Sequence, residues 1–229
     1  GDLVFVSGHP GSTSRLQTLR NLEFERDRRN PTSLNLLRRR EVLLKAFADR
    51  SAENARRAED ELSGIQNSRK AYIGLMEGLQ DPALFERKQA EEKALRQAVM
   101  NNPEWKREYG DAWDQISASI GAWEGIYLDH FLVERGTAFD SGLFQIARDL
   151  VRLAAELPKP NAERLREYSE AGLDSLKQSL FSEAPIYDDL DTVKLADSLA
   201  MLVDLAGANH DLVRQMLAGR SPRQRAEEL

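Results

Sequence analysis

The chain reads as mainly α: an irregular antiparallel helical bundle with one N-terminal β-strand whose sheet partners lie outside these residues. Two kinds of observation predict this. Cap and first-turn pairs (Asp81-Pro82, Asn102-Pro103, Ser221-Pro222) stand directly before segments with apolar residues three and four apart, and short loops between such segments imply antiparallel neighbours. By contrast, Leu3 to Val6 is a β-type run broken by Gly8-His9-Pro10-Gly11. A lone strand leaves its backbone donors and acceptors unsatisfied, so this one belongs to a sheet completed elsewhere. The expected organisation is a strand and turn over residues 1–11, then a helical domain over 12–229.

Taken in order, Ser12, Thr13 and Ser14 offer N-cap hydroxyls, and Leu16, Leu19, Leu22 and Phe24 predict a first helix that stops near Asn30-Pro31. A second helix is expected from Thr32 or Ser33 to Asp49, with Leu36, Leu37, Val42, Leu43, Leu44 and Phe47 facing a core and Arg38 to Glu41 as a charged turn. Ser51 caps a long proline-free helix to Gln80, interrupted in propensity only by Gly64, Gly74 and Gly78. Asp81-Pro82 opens a helix to about Asn101, so the two long helices predict an antiparallel hairpin. From Asn102-Pro103 a helix carries Trp105, Tyr109, Trp113, Ile116, Ile120 and Trp123 on one aromatic-rich face toward Phe131, a spacing that favours core packing over a binding box. The run from Gly136 to Gly142 reads as a turn. Further helices are expected over 143–157, 162–180, 190–206 and 211–218, and from Ser221-Pro222 onward.

Composition narrows the function classes. Thirty-two Lys and Arg against 38 Asp and Glu leave a net charge of −6 with both signs interspersed, which argues against a general nucleic-acid binder. The absence of cysteine excludes disulfides, thiolate zinc sites and a Cys nucleophile. No run approaches the roughly 20 apolar residues needed to span a bilayer, so membrane insertion is not expected. The first residues have neither a basic nor an apolar leader region, so a secreted parent would carry its leader upstream.

Little catalytic chemistry can be assembled from these residues. Of the three histidines, His9, His130 and His210, none has the spacing of a di-iron or zinc-peptidase motif, and no metal or cofactor is expected. His130 could form a ligand pair with Glu134 one turn on, but reads better as a solvated partner; His210 reads as a helix-cap residue. The Gly8 to Ser12 turn could present N–H groups to an anion, yet it matches no phosphate fingerprint and reads first as a sharp bend. Gly64 to Leu79 is less ordinary, because three glycines sit in a helix of good formers at about 1 kcal/mol each. The stretch either packs tightly or lies against a ligand, with Gln66, Asn67, Arg69 and Lys70 as its polar groups.

Three segments carry a resemblance. Gly-Asp-Leu-Val-Phe-Val-Ser-Gly-His-Pro-Gly-Ser-Thr-Ser-Arg at the start resembles the point where bacterial serine dipeptidyl-peptidases of the 7/11 group leave their chymotrypsin-like barrel for an inserted helical domain. Asn67-Ser-Arg-Lys-Ala-Tyr-Ile-Gly-Leu-Met-Glu-Gly-Leu resembles their Asn-x-x-Lys-x-x-x-Gly-x-x-x-Gly-Leu stretch, and Leu217 to Leu229 resembles the return toward the barrel. The family has Asn or a small polar residue where this chain has His9. The resemblance implies that the strand's missing sheet is a β-barrel of the same polypeptide, where the Ser-His-Asp machinery resides; no counterpart of those catalytic motifs occurs here. It further implies an enzyme that releases dipeptides from free peptide N-termini, is periplasmic or at the cell surface, and is a homodimer. Asn67 matches the Asn that receives the substrate's α-amino group, and Gly64, Gly74 and Gly78 would permit close backbone approach. The fragment itself is then expected to be inactive, a substrate-gating domain. A non-catalytic interaction module docking through the Ser51 to Asn101 hairpin is the alternative, and a stand-alone hydrolase is a distant third.

Overall fold

The computed structural model describes residues 3–5, 7, 14 and 16–229. Among them the structure is helical and contains no strand. Leu3, Val4 and Phe5, from the expected strand, lie outside regular structure and are 83, 76 and 89 % exposed. The expected turn from Gly8 to Ser12, the caps Ser12 and Thr13, and the domain boundary at Gly11 fall outside the described residues.

The helices are α1 (Leu19–Phe24), α2 (Asn30–Ala48), α3 (Ala52–Gln80), α4 (Pro82–Asn101), α5 (Pro103–Tyr109), α6 (Ala112–Asp129), α7 (Gly142–Glu156), α8 (Glu170–Leu180), α9 (Asp188–Ala206), α10 (Asp211–Leu217) and α11 (Pro222–Glu228). They are distributed over two compact units, one of Gly1–Asn35 with Lys70–Trp123 and one of Leu36–Arg69 with Glu124–Leu229.

The expected stop at Asn30-Pro31 does not occur. Helix continues from Leu19 to Ala48 because Glu25–Arg29 form a π-helical turn, closed by the Asn30 N–H on the Glu25 carbonyl. Proline in a regular helix lacks one donor and crowds the carbonyl four residues back; a wider turn just before it relieves that crowding. Thr32 Oγ1 donates to the Arg28 carbonyl at 2.8 Å and serves one of the loosened acceptors.

In the first unit, Leu22, Phe24, Leu34, Leu79, Val99 and Ile120 are buried. The Leu19 N–H donates to Glu92 Oε2 at 2.7 Å and fastens the start of α1 to α4, while Arg96 lies 5.1 Å from the Trp113 ring centroid. Asp81 and Asn102 cap α4 and α5 as predicted, Asp81 accepting from the Ala83 N–H and Asn102 from the Glu104 and Trp105 N–H groups, each directly before a Pro at the helix start. The aromatic face is not wholly core. The helix breaks at Gly110-Asp111, which takes Trp105 and Tyr109 out of register with Ile120, and Trp105 and Tyr109 are both 46 % exposed.

The second unit has two apolar clusters. Phe131, Leu132, Ala138, Phe139, Leu195, Leu199, Met201, Leu202, Val213 and Ala226 form one around α9. Leu44, Phe47, Ala58, Ile65 and Leu190 form the other, between α2, α3 and α9. The predicted turn after α6 is confirmed and tightly built: Gly136 takes φ +67, Thr137 Oγ1 donates to the Phe131 carbonyl, and Ser141 caps α7. Asp191 of α9 accepts from Ser141 Oγ at 2.6 Å and from Gly142 N–H at 2.7 Å. Asp140 lies 2.8 Å from Arg40 and 3.4 Å from Lys194, whose ammonium also reaches Glu61 at 2.9 Å.

Helix is absent over most of 162–169, where it was expected. Two single 3₁₀ turns, Asn161–Glu163 and Arg166–Tyr168, replace it. Tertiary contacts with α7 outweigh local propensity: buried Glu156 accepts the Leu165 N–H at 2.9 Å, and buried Tyr168 donates to Asp149 Oδ1 at 3.2 Å.

Candidate functional site

The site is built on α3 where that helix belongs to the second unit. Ser51 Oγ accepts the Asn54 N–H at 3.1 Å and starts the helix where the sequence predicts. Ala58, Leu62 and Ile65 then face Leu44 and Phe47 of α2, which sets the buried side of α3. Asn67 is on the exposed side, and its side chain makes no hydrogen bond to any described residue. Its amide is therefore free to accept from, and donate to, a ligand.

The four polar residues singled out in this stretch are separated by the structure. Gln66 Nε2 donates to Glu41 Oε1 at 3.3 Å, and Arg69 Nε lies 2.6 Å from Glu41 Oε2. Lys45 Nζ donates to Glu41 Oε1 at 2.7 Å. Lys70, like Asn67, is exposed. Glu41 was expected in a charged turn, yet it is only 8 % exposed. A signal for this was present: Glu41 is four residues after Leu37 and three before Leu44, on the apolar stripe of α2. The hydrogen bond from Lys45, followed by the Arg69 charge, holds its carboxyl below the usual carboxylate range.

Gly64, Gly74 and Gly78 serve no close packing among the described residues. A Cβ on Gly64, Gly74 or Gly78 would meet no described atom within 4 Å, so the tight-packing reading is corrected for the described residues. Gly64 stands one turn before Asn67 and is exposed, leaving bare helix surface beside the amide.

The remaining candidates take structural roles. His210 Nδ1 accepts the Leu212 N–H at 3.2 Å and caps α10, as read from the sequence. Arg152 engages both carboxylate oxygens of Glu134 at 2.8 and 2.9 Å, hydrogen bonding that lowers its pKa; with both oxygens so occupied, pairing with His130 on a metal is disfavoured. Among the described residues no group of three or more His, Asp or Glu is placed to hold a metal ion. Among the described residues no helix is long and apolar enough to cross a membrane. His9 lies outside the described residues.

Comparison with known proteins agrees with the resemblance drawn from the three segments. An Asp/Glu-specific dipeptidyl-peptidase of Shewanella putrefaciens (strain CN-32 / ATCC BAA-453) is 26% identical over 173 residues, covering 76% of this chain and 23% of that protein. The aligned part is thus about a quarter of that relative's length. The family model for peptidase S46 matches residues 1–229. The chain belongs to the peptidase S46 family.

Proposed function

We propose that this chain is the substrate-gating helical domain of a serine exopeptidase that releases dipeptides from the free N-termini of peptides. The family match over residues 1–229 carries the reading, and the exposed, unengaged amide of Asn67 supports a specific role for it. An amide oxygen accepts from an α-ammonium without forming an ion pair, so it can mark the substrate's first residue and still release the product. Gly64, Gly74 and Gly78 leave the adjoining helix surface open to the approach of another backbone. The Ser-His-Asp machinery belongs to a chymotrypsin-like barrel of the same polypeptide, so the chain alone is inactive. The parent acts in the periplasm or at the cell surface as a homodimer.

The test is dipeptide release from short peptides with free or acetylated N-termini by the full-length parent, its Asn67→Ala variant and the isolated chain. Activity in the parent alone, dependent on a free amine and reduced at least tenfold in the variant, is expected if one charge-assisted hydrogen bond is lost (~1.5–3 kcal/mol). Undiminished turnover by Asn67→Ala removes Asn67 from the anchor. Peptidase activity of the isolated chain refutes the assignment of the nucleophile elsewhere. A second reading, a non-catalytic interaction module, draws on the exposed apolar side chains Leu143, Leu150 and Val151 along α7. It predicts partner binding by the isolated chain and no effect of Asn67→Ala on hydrolysis.

A further inference from the structure

We propose that Glu41 is a positioning residue, which fixes the rotation of α3 about its own axis so that Asn67 is presented toward the substrate amine. The inference rests on the reading of Asn67 as the amine anchor. Glu41 is nearly buried on the apolar stripe of α2 and engages two side chains of α3, Gln66 and Arg69, three residues apart on one side of that helix. At about 100° per residue, Asn67 points about 130° away from the bisector of those two positions. Holding Gln66 and Arg69 inward therefore holds Asn67 outward.

Apolar packing by Ala58, Leu62 and Ile65 sets which side of α3 is buried, but contacts of that kind are non-directional. A helix rolling by about 20° moves a side-chain tip at a radius of about 6 Å by ~2 Å, enough to break a hydrogen bond. A hydrogen bond from Gln66 at 3.3 Å and an ion pair with Arg69 at 2.6 Å, both to one carboxylate itself held by Lys45, resist that roll. Because the carboxyl is flanked by Lys45 and Arg69, it adds no unpaired negative charge beside the substrate amine. Its effect is routed through Asn67, not exerted directly on the substrate.

The experiment measures KM and kcat of the full-length enzyme on a dipeptide-releasing substrate with a free N-terminus, for wild type, Asn67→Ala, Glu41→Gln and the double variant. Glu41→Gln is expected to raise KM roughly tenfold at little cost in kcat, and to add less than twofold to the loss already present in Asn67→Ala. A purely structural role would multiply the two losses instead. Glu41→Asp, which keeps the charge, is expected to recover part of the KM, and Arg69→Gln with Gln66→Leu carries the same expectation should Glu41→Gln fail to fold. If Asn67→Ala raises KM while Glu41→Gln does not, or if the losses multiply, the positioning role is overturned and the anchor stands. If Asn67→Ala itself leaves KM unchanged, the anchor falls and the positioning role with it.

Discussion

Truncating Phe47 tests whether the cluster between α2, α3 and α9 holds the helix that carries Asn67. Phe47 is fully buried, packed in the cluster with Leu44, Ala58, Ile65 and Leu190, and the Arg50 guanidinium lies 5.2 Å from its ring centroid. Phe47→Ala removes a whole ring from a site where neighbours can only partly collapse, at a cost of about 3–5 kcal/mol. The cation–π contact accounts for about 0.5–1 kcal/mol of this at most. For a chain of this length, each kcal/mol moves Tm by about 2–4 °C, so a fall of about 6–20 °C is expected. Thermal unfolding followed by far-UV circular dichroism, with urea denaturation as a second measure, reads it directly. Val42→Ala, on the same helix but 68 % exposed, is the control and should change stability by no more than about 0.5 kcal/mol. Equal shifts in the two variants, or a loss below about 1 kcal/mol for Phe47→Ala, would refute the packing argument.

Gly64→Ala should stabilise the protein by about 0.5–1 kcal/mol, since the position is helix interior and an added Cβ meets no described atom; a higher urea midpoint checks it. Should the same change lower dipeptide release by the parent, the glycine serves something outside this chain. Acid sensitivity provides a test with a definite sign. Glu53 accepts from Arg56 at 2.7 and 2.8 Å and from Arg57 at 2.9 Å, and these bonds bring its pKa from 4.5 to about 2. A carboxylate whose pKa is lowered on folding stabilises the fold above its unfolded value, and the contribution is lost as pH falls from about 4.5 through about 2. The difference in urea midpoint between wild type and Glu53→Gln should therefore be present at pH 7 and shrink by pH 2.5. A difference that is unchanged at pH 2.5 would count against the pairing.

Helix starts were legible in the residues because capping is local. Asp81-Pro82, Asn102-Pro103 and Ser221-Pro222 each place an acceptor side chain and a donor-free first residue within one turn, and all three open helices where expected. Asn67 was legible as a candidate from its surrounding motif, and its exposure is consistent with that reading. Tertiary structure decided what depends on residues far apart in the chain. Residues 161–168 give up helix because Glu156 and Asp149 of α7 engage the Leu165 N–H and the Tyr168 hydroxyl. Above all, composition could not tell Gln66 and Arg69 from Asn67 and Lys70. The packing of α3 against α2 sets the buried side, and there the buried carboxylate of Glu41 meets Gln66 and Arg69 while Asn67 faces out; burying Glu41 requires donors that its own helix supplies only in part.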